Sequence, residues 1–284
     1  MASLRDLKSR IESIKNTRQI TNAMKMVAAS KLRKSQERIF SARPYASFID
    51  TMLRTLKMKN KASTHLLLNN NRTSAKELVV IFTADKGLCG AFNSGIIRKA
   101  QNIIHENPEK EFIIVGKKGF EYLKKDTENI KKSYIGIFNE MKFTESKEIG
   151  TLLLDLYMNH NYTKIEVLYN EFKSAIQHDI VLKTILPVKP FESKIVSSTD
   201  FIYEPDEDTL IEELGKKFVD VELWRIMLES SAAEQAARMN AMESATENAS
   251  DLISSLTLQY NRKRQAAITT EIIEISSGAS AINQ

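Results

Sequence analysis

Near the amino terminus the apolar residues Leu4, Leu7, Ile11 and Ile14 recur at alternating spacings of three and four, the seam of a coiled-coil helix. From Ser3 to Lys59 there is no glycine and a single proline, Pro44. Ser3 followed by Asp6 reads as an N-cap with an acidic third position. Beyond Ile14 the seam weakens, passing through Arg18, Thr21 and Lys25 with Met24, Val27 and Ala28 beside it. Pro44 is expected to kink the helix or divide it near Arg43, because proline lacks the amide hydrogen and clashes with the preceding turn.

The other end carries a longer version of the same pattern. From Asp206 onward there is no proline, and no glycine between Gly215 and Gly278. A three-four seam runs through Leu214, Phe218, Val221, Arg225, Leu228, Ala232, Gln235, Met239, Met242, Thr246, Ala249, Ile253, Leu256 and Tyr260, and its small members permit close helix approach. At 1.5 Å per residue, about 78 residues make a rod of roughly 115 Å, too long for a compact domain to enclose.

Between the rods the texture changes to short β-branched runs and glycines. Leu78 to Phe82, Phe112 to Val115, Ile165 to Tyr169 and Ile180 to Leu186 are predicted strands. Helices are predicted near Ser94 to His105, Gly119 to Lys125 and Ser146 to Asn159. The alternation favours a largely parallel, doubly wound sheet. The stretches Leu68 to Ser74 and Phe191 to Asp208 read as its connections to the rods.

The fold class is therefore α/β: a long antiparallel coiled coil of N- and C-terminal helices with an inserted Rossmann-like domain. The expected division is an N-terminal helix over residues 1–59, the α/β domain over 76–190 and a C-terminal helix over 206–284. If both rods leave the same side of the domain they must run antiparallel, and the longer one then outruns the shorter and leaves a single-helix tip from about residue 262. Pairing with residue numbers adding to roughly 262 sets Leu4 near Leu258 and Met24 near Arg238.

Composition supports long helices, since glycine (9) and proline (5) are scarce in 284 residues, and 42% hydrophobic content supplies a core. The net charge of +5 is unevenly spread. Residues 1–59 hold fourteen Lys and Arg against four Asp and Glu, and residues 205–284 hold seven against fourteen. A basic arm and an acidic arm in one chain can attract each other. The single cysteine, Cys89, excludes an internal disulfide framework and fits a reducing compartment. The first thirty residues lack a signal-peptide pattern, and no run approaches the roughly 20 apolar residues that span a bilayer.

The segment Asp85-Lys86-Gly87-Leu88-Cys89-Gly90-Ala91-Phe92-Asn93 sits after a strand and before a helix, where phosphate loops sit. It lacks the Walker glycine spacing with its Lys-Ser/Thr pair, and it is not GxGxxG. A structural turn built on Gly87, Cys89 and Gly90 is the favoured reading, with an anion or nucleotide site as its rival. Four scattered histidines, His65, His105, His160 and His178, form no metal pattern, so no metal, no cofactor and no catalytic set are expected. The basic residues of the first helix suit helix pairing and acidic protein surfaces, or the phosphates of a DNA-reading helix. At the tip, the isoleucines from Ile268 to Ile275 would meet water on an unpaired helix, which marks a partner surface or a frayed terminus.

Three segments closely resemble the gamma subunit family of F-type ATP synthases. They are Arg10-Ile-Glu-Ser-Ile-Lys-Asn-Thr-Arg-Gln-Ile-Thr-Asn-Ala-Met-Lys-Met-Val-Ala, Lys86-Gly-Leu-Cys-Gly-Ala-Phe-Asn, and Ile268-Thr-Thr-Glu-Ile-Ile-Glu-Ile-Ser-Ser-Gly-Ala-Ser-Ala. The likeness covers essentially the whole chain in order. It implies a non-catalytic rotor shaft seated among three alpha and three beta subunits, with the α/β domain against the epsilon subunit and the membrane c-ring. It further implies beta-subunit contacts at Met24, Arg238, Arg264, Gln265, Thr269 and Glu271 and no nucleotide on the α/β domain; the redox cysteine pair of the family's chloroplast members is absent from this sequence, which has Cys89 alone. The implied location is peripheral, on the cytoplasmic face of a bacterial plasma (inner) membrane, held through the c-ring alone and without nucleic acid. The alternatives are a nucleotide-binding α/β protein with helical arms and a nucleic-acid-binding coiled coil.

Overall fold

The computed structural model describes residues 3–59, 65–68, 72, 76–188 and 207–282. The expected connections at 68–74 and 191–208, and the edges of the expected domains at 189–190, 206 and 283–284, lie wholly or largely outside them. Helix α1 spans Leu4–Lys59 and helix α5 spans Glu207–Ile282. Contacts group the chain into two compact units, Met1–Ala28 with Met239–Gln284, and Ala29–Arg238.

In the first unit, α1 starts on a reciprocal capping box. The Ser3 amide donates to Asp6 Oδ2 at 2.9 Å, and the Asp6 amide donates to Ser3 Oγ at 3.1 Å. The seam positions are the ones withdrawn from water: Leu7 and Ala28 on α1, and Met242, Ala249 and Leu256 on α5, are buried. Two polar pairs cross the seam, Thr21 Oγ1 with Thr246 Oγ1 at 2.8 Å and Lys25 Nζ with Glu243 Oε1 at 2.6 Å. Partners fall in number as α1 rises, so the helices run antiparallel. Their numbers add to 267 and 268. The expected register near 262 is thus displaced by about a turn and a half. A seam with many small members tolerates several offsets, and the polar pairs that close across it select one.

The second unit is built on a five-stranded sheet in the order β3-β2-β1-β4-β5. Strands β1 (Glu77–Phe82), β2 (Glu111–Val115), β3 (Ile130–Tyr134) and β4 (Lys164–Phe172) are parallel, and β5 (His178–Leu186) closes the edge antiparallel to β4. Helices α2 (Phe92–Glu106), α3 (Lys117–Leu123) and α4 (Phe143–Asn159) fall where periodicity predicts them. Strand β3 was not foreseen, because Ile-Lys-Lys-Ser-Tyr is an edge strand with two exposed lysines and too little apolar content to stand out.

Alternation along β1 sorts the core into two layers. Leu78, Val80 and Phe82 face a cluster that takes in Leu153 and Tyr157 of α4, Ile49 and Leu53 of α1, and Phe218, Leu223 and Met227 of α5. Val79 and Ile81 face Ile96, Ala100 and Ile104 of α2 and Leu123 of α3. The inner halves of both long helices are thus part of the sheet's own core. That burial explains Pro44: α1 runs through it undivided. With Ile39, Ala46, Ile49 and Leu53 buried on either side, packing offsets the roughly 3 kcal/mol that an internal proline costs.

Candidate functional site

The turn between β1 and α2 is tied down from several directions. Leu88 and Gly90 have positive φ, 61° and 55°, so the chain reverses through the left-handed region. Asn93 acts as the internal brace: its Oδ1 accepts from the Ala84 amide at 3.0 Å, and its Nδ2 donates to the Lys86 carbonyl at 3.3 Å. Asp85 Oδ1 accepts from the amides of Lys117 at 2.9 Å and Gly136 at 3.0 Å. The chain's own carboxylate therefore occupies the first turn of α3. Cys89 is buried with Ala84, Phe92 and Ala233 of α5, and burial pushes its thiol above the ordinary range, away from nucleophilic duty.

This turn rests on α5 through charge as well as packing. Arg238 Nη2 donates to the Gly87 carbonyl at 3.2 Å, while Nη1 pairs with Glu234 at 2.7 Å. Arg238 is only 9% exposed. One side chain expected to face a partner is thus committed to the chain's own turn. Glu234 is buried, and burial raises its pKa against the pull of Arg238.

A second buried network lies earlier on α5. Arg225 bridges Glu222 at 2.7 Å and Glu229 at 2.6 Å, and Lys183 of β5 reaches Glu222 at 2.5 Å. Burial alone would raise the Glu222 pKa, but Arg225 and Lys183 hold it down to about 2. Glu229 shares one guanidinium with Glu222 and leaves Oε2 buried without a partner among the described residues, so burial prevails and its pKa rises. Neither network was foreseen. The signal was present as Glu-Arg pairs at spacings of three and four inside a stretch that lacks a continuous polar face.

The remaining expected contact residues lie in the first unit. Met24 is half-buried on α1. Arg264, Gln265, Thr269 and Glu271 are exposed on α5, with the Thr269 hydroxyl donating to the Gln265 carbonyl at 2.9 Å. Ile268, Ile272, Ile273 and Ile275 are 47–66% exposed in the same stretch. Four large apolar side chains are thus left in water amid charged residues. Among the described residues no cluster of His, Cys, Asp and Glu has the make-up of a metal site, and no helix is long and apolar enough to cross a membrane.

A family model described as ATP synthase matches residues 3–282. The ATP synthase gamma chain of Pelodictyon phaeoclathratiforme is 45% identical over 289 residues, covering 99% of each chain. The chain belongs to the ATP synthase gamma chain family. The gamma chain of Chloroherpeton thalassium, 41% identical over 302 residues, covers 100% of this chain and 99% of its own length. Among solved structures, a chain in the central stalk and c-ring of the Tetrahymena thermophila mitochondrial ATP synthase gives a TM-score of 0.63. It is 27% identical, with 80% of this chain and 99% of that one covered. A chain of the Euglena gracilis mitochondrial ATP synthase shares the fold at a TM-score of 0.69 and 21% identity, over 98% of this chain and 94% of that one.

Proposed function

We propose that this chain is the central rotor shaft of an F-type ATP synthase, coupling rotation of a membrane c-ring to ATP synthesis or hydrolysis at beta subunits. The observation that carries this reading is the match to ATP synthase gamma chains along 99% of both chains. The part is non-catalytic in this reading: its buried charges pair with one another along α5, and Glu222 and Arg238 tie that helix to Lys183 of β5 and to the Gly87 carbonyl, while four large apolar side chains stand exposed in the tip. Its partners are three alpha and three beta subunits to one copy of this chain, an epsilon subunit and the c-ring. Attachment to the membrane runs through the c-ring, on the cytoplasmic face of a bacterial plasma membrane. Residues 1–59 and 206–284 serve as the shaft, with a single-helix tip from about 262, and residues 76–190 as the foot.

Met24, Arg264, Gln265, Thr269 and Glu271 are the residues proposed to meet beta subunits. Arg238 takes a different duty, fixing the turn of Gly87, Cys89 and Gly90 against α5, and that turn is structural in this reading. An asymmetric shaft presents a different face to each beta subunit as it turns, which biases each between states of different nucleotide affinity. The coupling is reciprocal, so hydrolysis turns the shaft in reverse.

The test is co-expression with cognate alpha and beta subunits, comparing the full chain with one lacking residues 262–284. A stable 3:3:1 complex that hydrolyses MgATP, with assembly or turnover impaired by the truncation, is the expected result. A full chain that never joins the complex would overturn the reading.

A further inference from the structure

Outside these contacts, the second unit has a cleft of about 420 Å³ walled by α1, α5 and the segment that leads into α4. Its rim is cationic. Lys31, Lys34 and Arg38 line it from one face of α1, at spacings of three and four, and Lys142 lines it from the opposite wall. The three α1 cations are exposed and form no ion pair among the described residues. Lys31 lies within electrostatic reach of Glu234, whose carboxylate is already paired with Arg238. One acid, Glu140, lines the cleft and approaches Lys142 at 3.8 Å from a position almost wholly in water. Four cations against one carboxylate leave a formal excess of three positive charges around a cavity with room for a small molecule.

The floor is polar and made of side chains with low exposure. Ser35 and Ser231 line it with their hydroxyls 3.5 Å apart, a separation at the limit of a hydrogen bond. Gln235 lines it too, 9% exposed, and its carboxamide makes no hydrogen bond among the described residues. Its amide atoms open onto the cleft, so its N–H groups are available to an acceptor held there. Phe138 and Met141 supply an apolar wall on one side.

We infer that this cleft binds a small diphosphate-bearing anion, with Lys31, Lys34, Arg38 and Lys142 on the phosphate oxygens and the Gln235 carboxamide and Ser231 hydroxyl donating from the floor. Several cations around one site suit a multivalent oxyanion better than a monovalent one, because each added charge meets an added partner. Free pyrophosphate and the diphosphate of a nucleotide share this chemistry. The Phe138 and Met141 wall separates them, since a base has apolar surface to stack and pyrophosphate has none.

The test is calorimetric titration of the full chain with pyrophosphate, ADP and orthophosphate at low ionic strength. The chain itself is compared with Lys34→Glu/Arg38→Glu, with Gln235→Leu, and with Arg5→Glu/Lys8→Glu, which reverses as much charge on α1 in the first unit. We expect pyrophosphate to bind more tightly than orthophosphate and to weaken at least about tenfold in the first two variants while the third stays within about twofold. ADP tighter than pyrophosphate assigns the apolar wall to a base, and equal affinity assigns the site to the diphosphate alone. Circular dichroism on each variant verifies folding. No binding of either diphosphate at millimolar concentration overturns the inference, as does an equal loss in the Arg5→Glu/Lys8→Glu control.

Discussion

Arg238 donates to the backbone carbonyl of Gly87 across 151 positions of sequence, at 3.2 Å, while the same guanidinium pairs with Glu234 one turn back on α5. One cation thereby joins the turn after the first strand to the long helix and neutralises a buried carboxylate. Packing of Cys89 and Phe92 on Ala233 completes the joint.

Arg238→Met keeps much of the packing volume but strips Glu234 of its partner. Breaking a buried pair costs about 3 kcal/mol, so the urea midpoint of the full chain at neutral pH should fall accordingly. The Glu234 pKa is already raised, and a group with a raised folded pKa loses its stabilising contribution as pH rises through that value. The deficit of Arg238→Met should therefore shrink in mildly acidic buffer. Adding Glu234→Gln should recover part of it at neutral pH. A deficit that ignores both pH and the second substitution would show that the pair is not the cause.

Glu222 titrates with the opposite sign. Its pKa is depressed to about 2, so its contribution is present above the unfolded carboxylate range and disappears as pH falls from about 4.5 towards 2. The shift corresponds to something on the order of 3 kcal/mol for this buried group. Acid unfolding of Glu222→Gln, followed by tryptophan fluorescence, should lose the part of the stability slope that falls in this window. An unchanged slope would place the acid sensitivity elsewhere.

The register of the paired helices is open to direct chemical test. In a Cys89→Ala background, Thr21→Cys with Thr246→Cys should oxidise readily to an intramolecular disulfide, because their hydroxyls stand 2.8 Å apart. Thr21→Cys with Ala241→Cys matches the register counted from the segment ends and should not. Equal crosslinking of both would mean that the helices slide.

The tip separates stability from assembly. Ile272 and Ile273 are 60% and 58% exposed, so Ile272→Ser with Ile273→Ser should change the stability of the isolated chain by no more than about 0.5 kcal/mol per site. The same pair should reduce incorporation into complexes with alpha and beta subunits, read by gel filtration. Full incorporation with the double variant would remove these isoleucines from the binding surface.

Local pattern alone determined the two long helices, the capping box at Ser3 and Asp6, three of the four parallel strands and the exposed tip. Each of these depends on neighbours a few residues apart: a three-four seam, a hydroxyl three positions from a carboxylate, an apolar run of strand length. The family was legible for a related reason, since its three marker segments are continuous in sequence. What only the tertiary structure decided depends on groups far apart in the chain. Pro44 stays inside α1 because Ile49 and Leu53 are buried in the same core as Leu78 and Phe82. The pairing register is selected by Thr21 with Thr246 and Lys25 with Glu243, not by where the helices end. Arg238 looks like any surface arginine of a helical rod until the fold brings Gly87 to it and closes water out. Burial converts an ordinary charge into a fixed joint, and burial is a property of the folded neighbourhood that no single segment carries.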